Sequence, residues 1–212
     1  MSARRLGQNL DLRRRPVQTR SAETFDQILA AAAGLLEEVG WDGFNTNRLA
    51  ERTGIGVRTI YRYFPNKLAV VSTLARRMTD EWDDWLADFG SSGGSEKALL
   101  EAWPAMIDIF IEGLRKQPGG VAVRRAMAAS PTLREIDRED NDRLSNILAR
   151  ELKRLRPDRA TADTRTAARL LIETAVAALD HALAERPAET RRTLAELKRM
   201  QTGYLATWLE SA

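Results

Sequence analysis

Apolar residues recur at intervals of three and four along nearly the whole chain, and no stretch alternates apolar and polar residues as a half-buried strand does. The first such segment begins near Ser21 and ends at Gly40, a residue type that commonly ends helices. The longer periodic segments predict helices at residues 21–40, 67–89, 96–116, 121–129, 131–156, 161–185 and 188–209. The pattern therefore predicts an all-α protein.

Two shorter helices are predicted between the first two long ones. Thr46 is the expected N-cap of the first short helix, and Gly54 lies where that helix must end. The second short helix spans about residues 57–64 and places Ile60 and Phe64 on one face. Helix, glycine turn and helix in this order are typical of a helix-turn-helix motif.

The second short helix leaves Val57, Arg58, Tyr61 and Arg62 pointing away from its apolar face. In a helix-turn-helix protein the second helix enters the major groove of DNA. Arginine is suited to this position because its guanidinium can donate two hydrogen bonds to guanine O6 and N7. The motif therefore predicts binding to double-stranded DNA.

The same region resembles the signature of the TetR (tetracycline-repressor-like) family over about residues 20–70. The matching segments are Gly40-Trp41-Asp42-Gly43-Phe44-Asn45-Thr46, Leu49-Ala50, Thr53-Gly54-Ile55 and Arg58-Thr59-Ile60-Tyr61-Arg62-Tyr63-Phe64-Pro65-Asn66-Lys67. Three positions depart from the family pattern: Asn45 replaces a common Thr, Thr53 a common Ala, and Gly56 a common Ser. The last departure removes a hydroxyl that could cap the second helix or contact a phosphate.

The resemblance implies a role for individual residues of the motif. Phosphate contacts are expected from Thr46, Thr59, Tyr63 and Lys67, and contacts to bases from Asn47, Val57, Arg58 and Arg62. Tyr61 is compatible with either role, and the alternative for Tyr63 and Phe64 is packing in the core. Hydroxyl and ammonium groups suit contacts to the DNA phosphate backbone, which fix the position of the protein along the duplex. Contacts to the bases carry the sequence preference.

The resemblance also implies an organisation and a function. It divides the chain into a disordered basic arm (1–20), a three-helix DNA-binding head (21–67) and a helical effector-binding and dimerisation domain (68–212). The implied function is a transcriptional regulator, most simply a repressor that a small-molecule effector releases from a palindromic operator. The alternative is an architectural or partner-binding protein with the same head and no small-molecule sensing.

Two features of the C-terminal region have two interpretations each. Trp103, Met106, Phe110 and Met127 either line a ligand cavity or form plain core, and the resemblance favours the cavity. The last two helices, one of them rich in alanine, either pack within one chain or pair with a second copy as a four-helix bundle. The resemblance favours a homodimer.

Composition narrows the remaining function classes. The sequence has no cysteine and one histidine, so no metal site is expected, and neither a phosphate-binding glycine loop nor a nucleophile elbow occurs. Neither a cofactor nor an enzymatic activity is predicted.

Residues 1–67 contain 11 Lys and Arg against 7 Asp and Glu, so positive charge accompanies the DNA-binding motif. The arm is either a solvated terminus or a DNA-contacting segment.

No uncharged apolar run approaches the roughly 18 residues of a membrane-spanning helix. The Arg-rich start is not followed by the apolar segment of a secretory signal. We therefore expect a cytoplasmic protein without a membrane partner.

Overall fold

The computed structural model describes residues 10, 12–13, 19–91 and 94–210, and for residues 80–91 it describes the backbone alone. Across these ranges the chain forms helices and no strand, which confirms the predicted all-α class. The helices are α1 (Thr19–Gly43), α2 (Thr46–Thr53), α3 (Val57–Tyr63), α4 (Lys67–Ser91), α5 (Glu96–Lys116), α6 (Gly120–Ala129), α7 (Pro131–Leu155), α8 (Thr161–Ala184) and α9 (Pro187–Glu210). None of the described helices is both long enough and apolar enough to cross a membrane.

The largest departures from the predicted boundaries are at α1 and α4. Helix α1 begins at Thr19, within the predicted arm, and continues past Gly40 to Gly43. Gly40 interrupts its helical backbone with φ 64° and ψ −179°, so the expected stop is present as a kink. Helix α4 extends to Ser91, and most of the predicted basic arm (1–20) lies outside the described residues.

The chain forms two compact units. Unit 1 comprises residues 1–79 and 114–137, and unit 2 comprises residues 80–113 and 138–212. Compactness therefore groups α6 with the DNA-binding head, although α6 follows the head by some 50 residues in the sequence. The predicted functional boundary between residues 67 and 68 stays a prediction.

The core of unit 1 is built around aromatic side chains of α1 and α3. Phe25 stacks on Phe64 with ring centroids 5.0 Å apart and meets Tyr63 edge-on at 5.7 Å. Ile60 and Leu49 are fully buried as well. Because α3 has only seven residues, this packing stabilises it where its intrinsic propensity would not.

Helix α6 approaches α1 closely at its own N-terminus. Gly119 has φ 75° and its backbone N–H donates to Glu37 Oε1 at 2.8 Å. A Cβ atom at Gly119 would lie 2.9 Å from the Cα atom of Ala33, so no larger residue fits without displacing α1. Buried Arg124 of α6 forms a two-point ion pair with Asp137 of α7.

Unit 2 buries two apolar clusters between α5, α7, α8 and α9. The first contains Trp103, Leu171, Leu205 and Trp208, and the second is centred on Ile107 and Leu197.

The loop between α7 and α8 holds the C-terminal end of α9. Arg156 and Arg159 donate to the carbonyls of Leu209 and Trp208, which have no partner within the helix. The Arg159 guanidinium also lies 4.7 Å from the centroid of the Trp208 ring.

Candidate functional site

The N-terminus of α2 is capped by Asn45. Its side-chain oxygen accepts from the backbone N–H groups of Asn47 at 3.1 Å and Arg48 at 3.0 Å. The predicted cap, Thr46, is wrong by one position: Thr46 is the first helical residue and is buried. Asn45 takes the role because its backbone is extended (φ −152°, ψ 162°) and its short side chain reaches back to the free donors.

The turn between α2 and α3 matches its prediction. Gly54 has φ 68° and ψ 5°, a left-handed conformation that ends α2. Thr53 supports the turn, since its hydroxyl donates to the Leu49 carbonyl at 2.9 Å and accepts from the Ile55 N–H at 3.1 Å. The turn is therefore held by local hydrogen bonds as well as by the glycine.

Helix α3 divides its side chains between core and solvent as the pattern predicts. Ile60 and the following Phe64 are fully buried, whereas Arg58 and Arg62 are exposed. Gly56, at the N-cap, offers no side-chain hydrogen bond, so the first N–H groups of α3 are not capped by a side chain. The exposed face of this helix thus presents Arg58 in its first turn, next to the helix N-terminus, and Arg62 in its last turn.

Tyr61 is placed by the first residue of α2. Its hydroxyl forms a hydrogen bond with the Thr46 hydroxyl at 3.0 Å, which joins α2 to α3. More than a third of Tyr61 is nevertheless exposed. Of the other predicted contacts, Asn47 is exposed, and Val57 and Thr59 are half-buried.

Tyr63 lies in the core of unit 1 and is only 1% exposed. Its hydroxyl accepts from the Arg62 guanidinium at 3.2 Å and donates to the Ser21 carbonyl at 3.4 Å. The Arg62 guanidinium also lies over the Tyr63 ring, 5.1 Å from its centroid. In this arrangement Tyr63 packs α1 against α3 and positions Arg62, as its core alternative requires.

Lys67 begins α4 and connects it to the end of α1. Its ammonium donates to the carbonyls of Trp41 and Phe44, each at 3.3 Å. The same group lies 4.1 Å from the centroid of the Trp41 ring. An ammonium has three donors, and the two carbonyls use two of them.

A contact that sequence patterns did not predict comes from the basic arm. The Arg13 backbone N–H donates to the Tyr63 carbonyl at 2.9 Å, and its guanidinium donates to the Tyr61 carbonyl at 3.3 Å. These carbonyls belong to the last turn of α3, where helical partners run out. Leu10 is buried nearby in the chain. The only signal in the sequence was the cluster of arginines, which does not say what each one contacts.

Positive charge on the exposed face of α3 is not neutralised by its own helix, which contains no acidic residue. Elsewhere in unit 1, two exposed arginines are paired with carboxylates: Arg52 with Glu38 at 2.6 Å and Arg77 with Asp26 at 2.7 Å. Arg58 has neither an ion pair nor a hydrogen bond within the described residues. It is therefore available to an external anion or base.

A cavity of about 80 Å³ lies in unit 2. Its lining consists of Trp103, Met106, Ile107, Phe110, Leu144, Ile172, Ala175, Val176, Leu179 and Gln201. Three of the four predicted ligand-binding residues (Trp103, Met106 and Phe110) thus converge on one cavity. The fourth, Met127, does not line this cavity: it is 1% exposed in α6, which packs in unit 1.

An apolar groove lies on the outer surface of α8 and α9. It is lined by Leu170, Leu171, Thr174, Met200, Gln201 and Tyr204. Leu170, Met200 and Tyr204 are 49%, 55% and 39% exposed, whereas Leu205 is buried inside the unit. Large apolar side chains exposed together mark interaction surfaces.

Among the residues that the structure describes, no three His, Cys, Asp or Glu side chains come together as a metal site.

Two family models match the chain. The model of bacterial regulatory proteins of the tetR family matches residues 28–74, and the tetracyclin repressor-like C-terminal domain matches residues 97–209. Class A tetracycline repressor from transposon 1721 of Escherichia coli is 44% identical over 83 residues, which span 34% of this chain and 38% of the repressor. Nucleoid occlusion factor SlmA of Haemophilus ducreyi is 28% identical over 156 residues, which span 71% of this chain and 76% of SlmA.

Solved structures share the fold. A transcriptional regulator from Rhodococcus sp. Rha1 superposes with a TM-score of 0.68 at 20% identity, covering 89% of this chain and 99% of that one. A TetR-family regulator from Mesorhizobium loti superposes with a TM-score of 0.63 at 21% identity, covering 91% of this chain and 98% of that one. Because one family model covers the helix-turn-helix head and another covers more than half of the chain, this protein belongs to the TetR family of DNA-binding bacterial regulators.

Proposed function

We propose that this protein is a transcriptional repressor that binds a palindromic operator as a homodimer and is released by a small-molecule effector. The observation that carries the proposal is the exposed face of α3, which presents Arg58 and Arg62 from a helix held in a helix-turn-helix. An exposed, unpaired arginine on such a helix has the chemistry needed to read guanine in the major groove.

The residues around α3 support a division between reading and positioning. Arg58 is free to contact base edges, and the other candidates for base contacts are Val57 in the first turn of α3 and exposed Asn47 in the first turn of α2. Tyr61, held by the hydroxyl of Thr46, and the remaining donor of Lys67 suit phosphate oxygens. Arg13 is bonded to the end of α3, which supports a DNA-contacting arm over a merely solvated one.

The homodimer is supported by the groove on α8 and α9. Leu170, Met200 and Tyr204 expose apolar surface there, while the opposite sides of the same helices fill the core of unit 2. A second copy of the same surface would bury these side chains in a four-helix bundle. Two heads are needed to bind two half-sites about 34–36 Å apart.

The effector role is supported by the cavity of unit 2. Trp103, Met106 and Phe110 converge there from α5, and α7, α8 and α9 complete the lining. A ligand can release DNA only by its differential affinity for two arrangements of the protein. Couplings of this kind are typically 1–3 kcal/mol, so operator affinity would fall about 5–150-fold.

Selection from random DNA identifies the operator and tests the proposal. Purified protein selects duplexes from a random-sequence library, and we expect an enriched inverted repeat with its half-site centres one helical turn apart. Fluorescence anisotropy then measures binding of Arg58→Ala to the selected site and to single-base variants. We expect a loss of about 1–3 kcal/mol and a relaxed preference at particular base pairs.

Arg191→Ala is the matched control, because it removes the same charge from an exposed position of α9, outside unit 1. It should bind the selected operator like the parent protein. Failure to enrich any repeated sequence would contradict the proposed operator. An unchanged base preference in Arg58→Ala would instead place the reading residue elsewhere on the head.

The similarity to nucleoid occlusion factor SlmA favours a second candidate: a DNA-binding protein with the same head whose helical unit binds a partner instead of a small molecule. A thermal-shift screen with metabolites discriminates the two. The repressor should be stabilised by at least one compound that also weakens operator binding, whereas the second candidate should respond to none.

A further inference from the structure

The lining of the unit 2 cavity has one chemical character. Ten described residues line it; eight of their side chains are aliphatic, aromatic or thioether groups without a hydrogen-bond donor, and none of the ten is charged. All ten belong to α5, α7, α8 and α9, whose backbone groups are largely used within the helices. The two exceptions are Trp103, with its indole N–H, and Gln201, with its amide.

Gln201 and Trp103 bond each other. Trp103 Nε1 donates to Gln201 Oε1 at 3.1 Å, and the Gln201 amide nitrogen donates to the Leu171 carbonyl at 2.7 Å and to Thr174 Oγ1 at 2.9 Å. An indole N–H only donates and a carbonyl only accepts, so these neighbours fix which way the amide faces. All three N–H donors of the pair are therefore used inside the protein.

Among the residues that the structure describes, a ligand entering this cavity meets no free side-chain donor and one acceptor site, the second lone pair of Gln201 Oε1. A carboxylate would lose its hydration without gaining a donor, and an ammonium ion would gain no counter-charge. A hydroxyl group, by contrast, can donate to Gln201 Oε1 while its hydrocarbon part contacts the remaining lining.

The size of the cavity limits the ligand as well. At about 80 Å³ it is about half the volume of an engineered apolar cavity that binds benzene (about 150 Å³). Met106 is the flexible member of the lining, and methionine adapts readily to different shapes. A ligand with a short hydrocarbon chain therefore fits the cavity without rearrangement. A larger ligand requires the Met106 side chain to move.

We infer that the effector cavity takes a small uncharged molecule, mainly hydrocarbon, with a single hydroxyl that Gln201 accepts. This inference rests on the proposed effector-binding function, whose ligand class it names. Gln201 is the residue that determines specificity, since it alone distinguishes an alcohol from a hydrocarbon of the same length.

The test compares 1-butanol with butyrate, which has the same chain length and carries a charge. Binding to the full chain is measured by ligand-observed NMR at neutral pH, with Ala175→Leu as the control whose larger side chain fills the cavity. We expect 1-butanol to bind the parent protein, butyrate to bind at least about 100-fold more weakly, and Ala175→Leu to abolish the signal of 1-butanol.

A second arm replaces the acceptor. Gln201→Leu should lose the preference for 1-butanol over 1-chlorobutane, which lacks the hydroxyl. Because this variant also leaves the Trp103 indole unpaired, its melting temperature is measured first. The butanol and butyrate comparison needs no variant of Gln201 and decides the ligand class even if Gln201→Leu does not fold.

Equal binding of butyrate and 1-butanol, no binding of 1-butanol, or undiminished binding to Ala175→Leu would each overturn the inferred ligand class. Operator release is measured separately by anisotropy. Binding of 1-butanol without any release of DNA would leave the ligand class standing and count against the effector role. Release of DNA by compounds that bind outside the cavity would support effector-controlled release and count against this cavity as the effector site.

Discussion

Gly54 offers a test of how the helix-turn-helix is held together, because a substitution there changes the cost of its left-handed backbone without adding a steric clash. A Cβ atom at Gly54 would have no heavy atom within 4 Å, so Gly54→Ala introduces no clash. The cost of the substitution is then that of holding an L-residue at φ 68°, about 1–2 kcal/mol. For a chain of this length, such a loss lowers the melting temperature by roughly 2–8 °C.

Gly56→Ala provides the matched control two residues away. Its site is equally open, but its backbone (φ −58°, ψ 139°) suits any residue. Alanine is a poorer N-cap than glycine but restricts the unfolded chain, and these effects oppose each other, so we expect a change within about 0.5 kcal/mol. Gly54→Asn should fall between the two alanine variants, because asparagine tolerates the left-handed region.

Thermal unfolding followed by circular dichroism measures all three variants, and operator binding at a temperature well below melting reports the position of α3. Equal melting temperatures for Gly54→Ala and Gly56→Ala would refute the proposed role of Gly54. That result would mean that the turn does not require a left-handed residue, and that the orientation of α3 is set by core packing alone.

Three further predictions concern separate parts of the protein. Lys67→Ala should weaken binding to all DNA sequences alike and reduce the slope of log K against log[salt] by about one unit. Because Lys67 also bonds carbonyls within the head, the melting temperature of the variant is measured as well. An unchanged slope would exclude a phosphate contact. Met200→Glu should give folded monomers in sedimentation, since it buries an unpaired charge in the proposed interface, whereas Ala195→Glu, at another exposed position of α9, should remain dimeric; a dimeric Met200→Glu would place the interface elsewhere. The bidentate hydrogen bonds from Arg156 lower the pKa of Asp158 from 3.8 to about 2, so the stability they contribute is present above pH 4 and is lost as pH falls through 2. The difference in melting temperature between the parent and Asp158→Asn should shrink over that range, and a constant difference would contradict the pKa shift.

Local pattern was sufficient to predict the helices and the DNA-binding motif. Helical periodicity, Gly54 and the buried pair of Ile60 and Phe64 are properties of neighbouring residues, and the spacing that they impose does not depend on distant parts of the chain. The exposed arginines of α3 follow from the same periodicity. The resemblance to a known family rested on this region for the same reason.

Tertiary structure decided the contacts that join distant segments. Met127 has the apolar character of a cavity residue, yet it is buried in α6, which packs against α1 in unit 1. No local pattern could show which helix α6 would pack against. Tyr63 and Lys67 likewise hold the head together through carbonyls some 25 to 40 residues away.

Gln201 shows the difference most clearly. In the sequence it is a polar residue on an apolar helix face; in the structure it is bonded to Trp103, 98 residues earlier, and determines what the cavity can accept. Periodicity is a local property of the backbone, whereas the partner of a buried polar group depends on which helices pack together. The sequence alone therefore determined the elements and their faces, and only packing determined the chemistry of the sites between them.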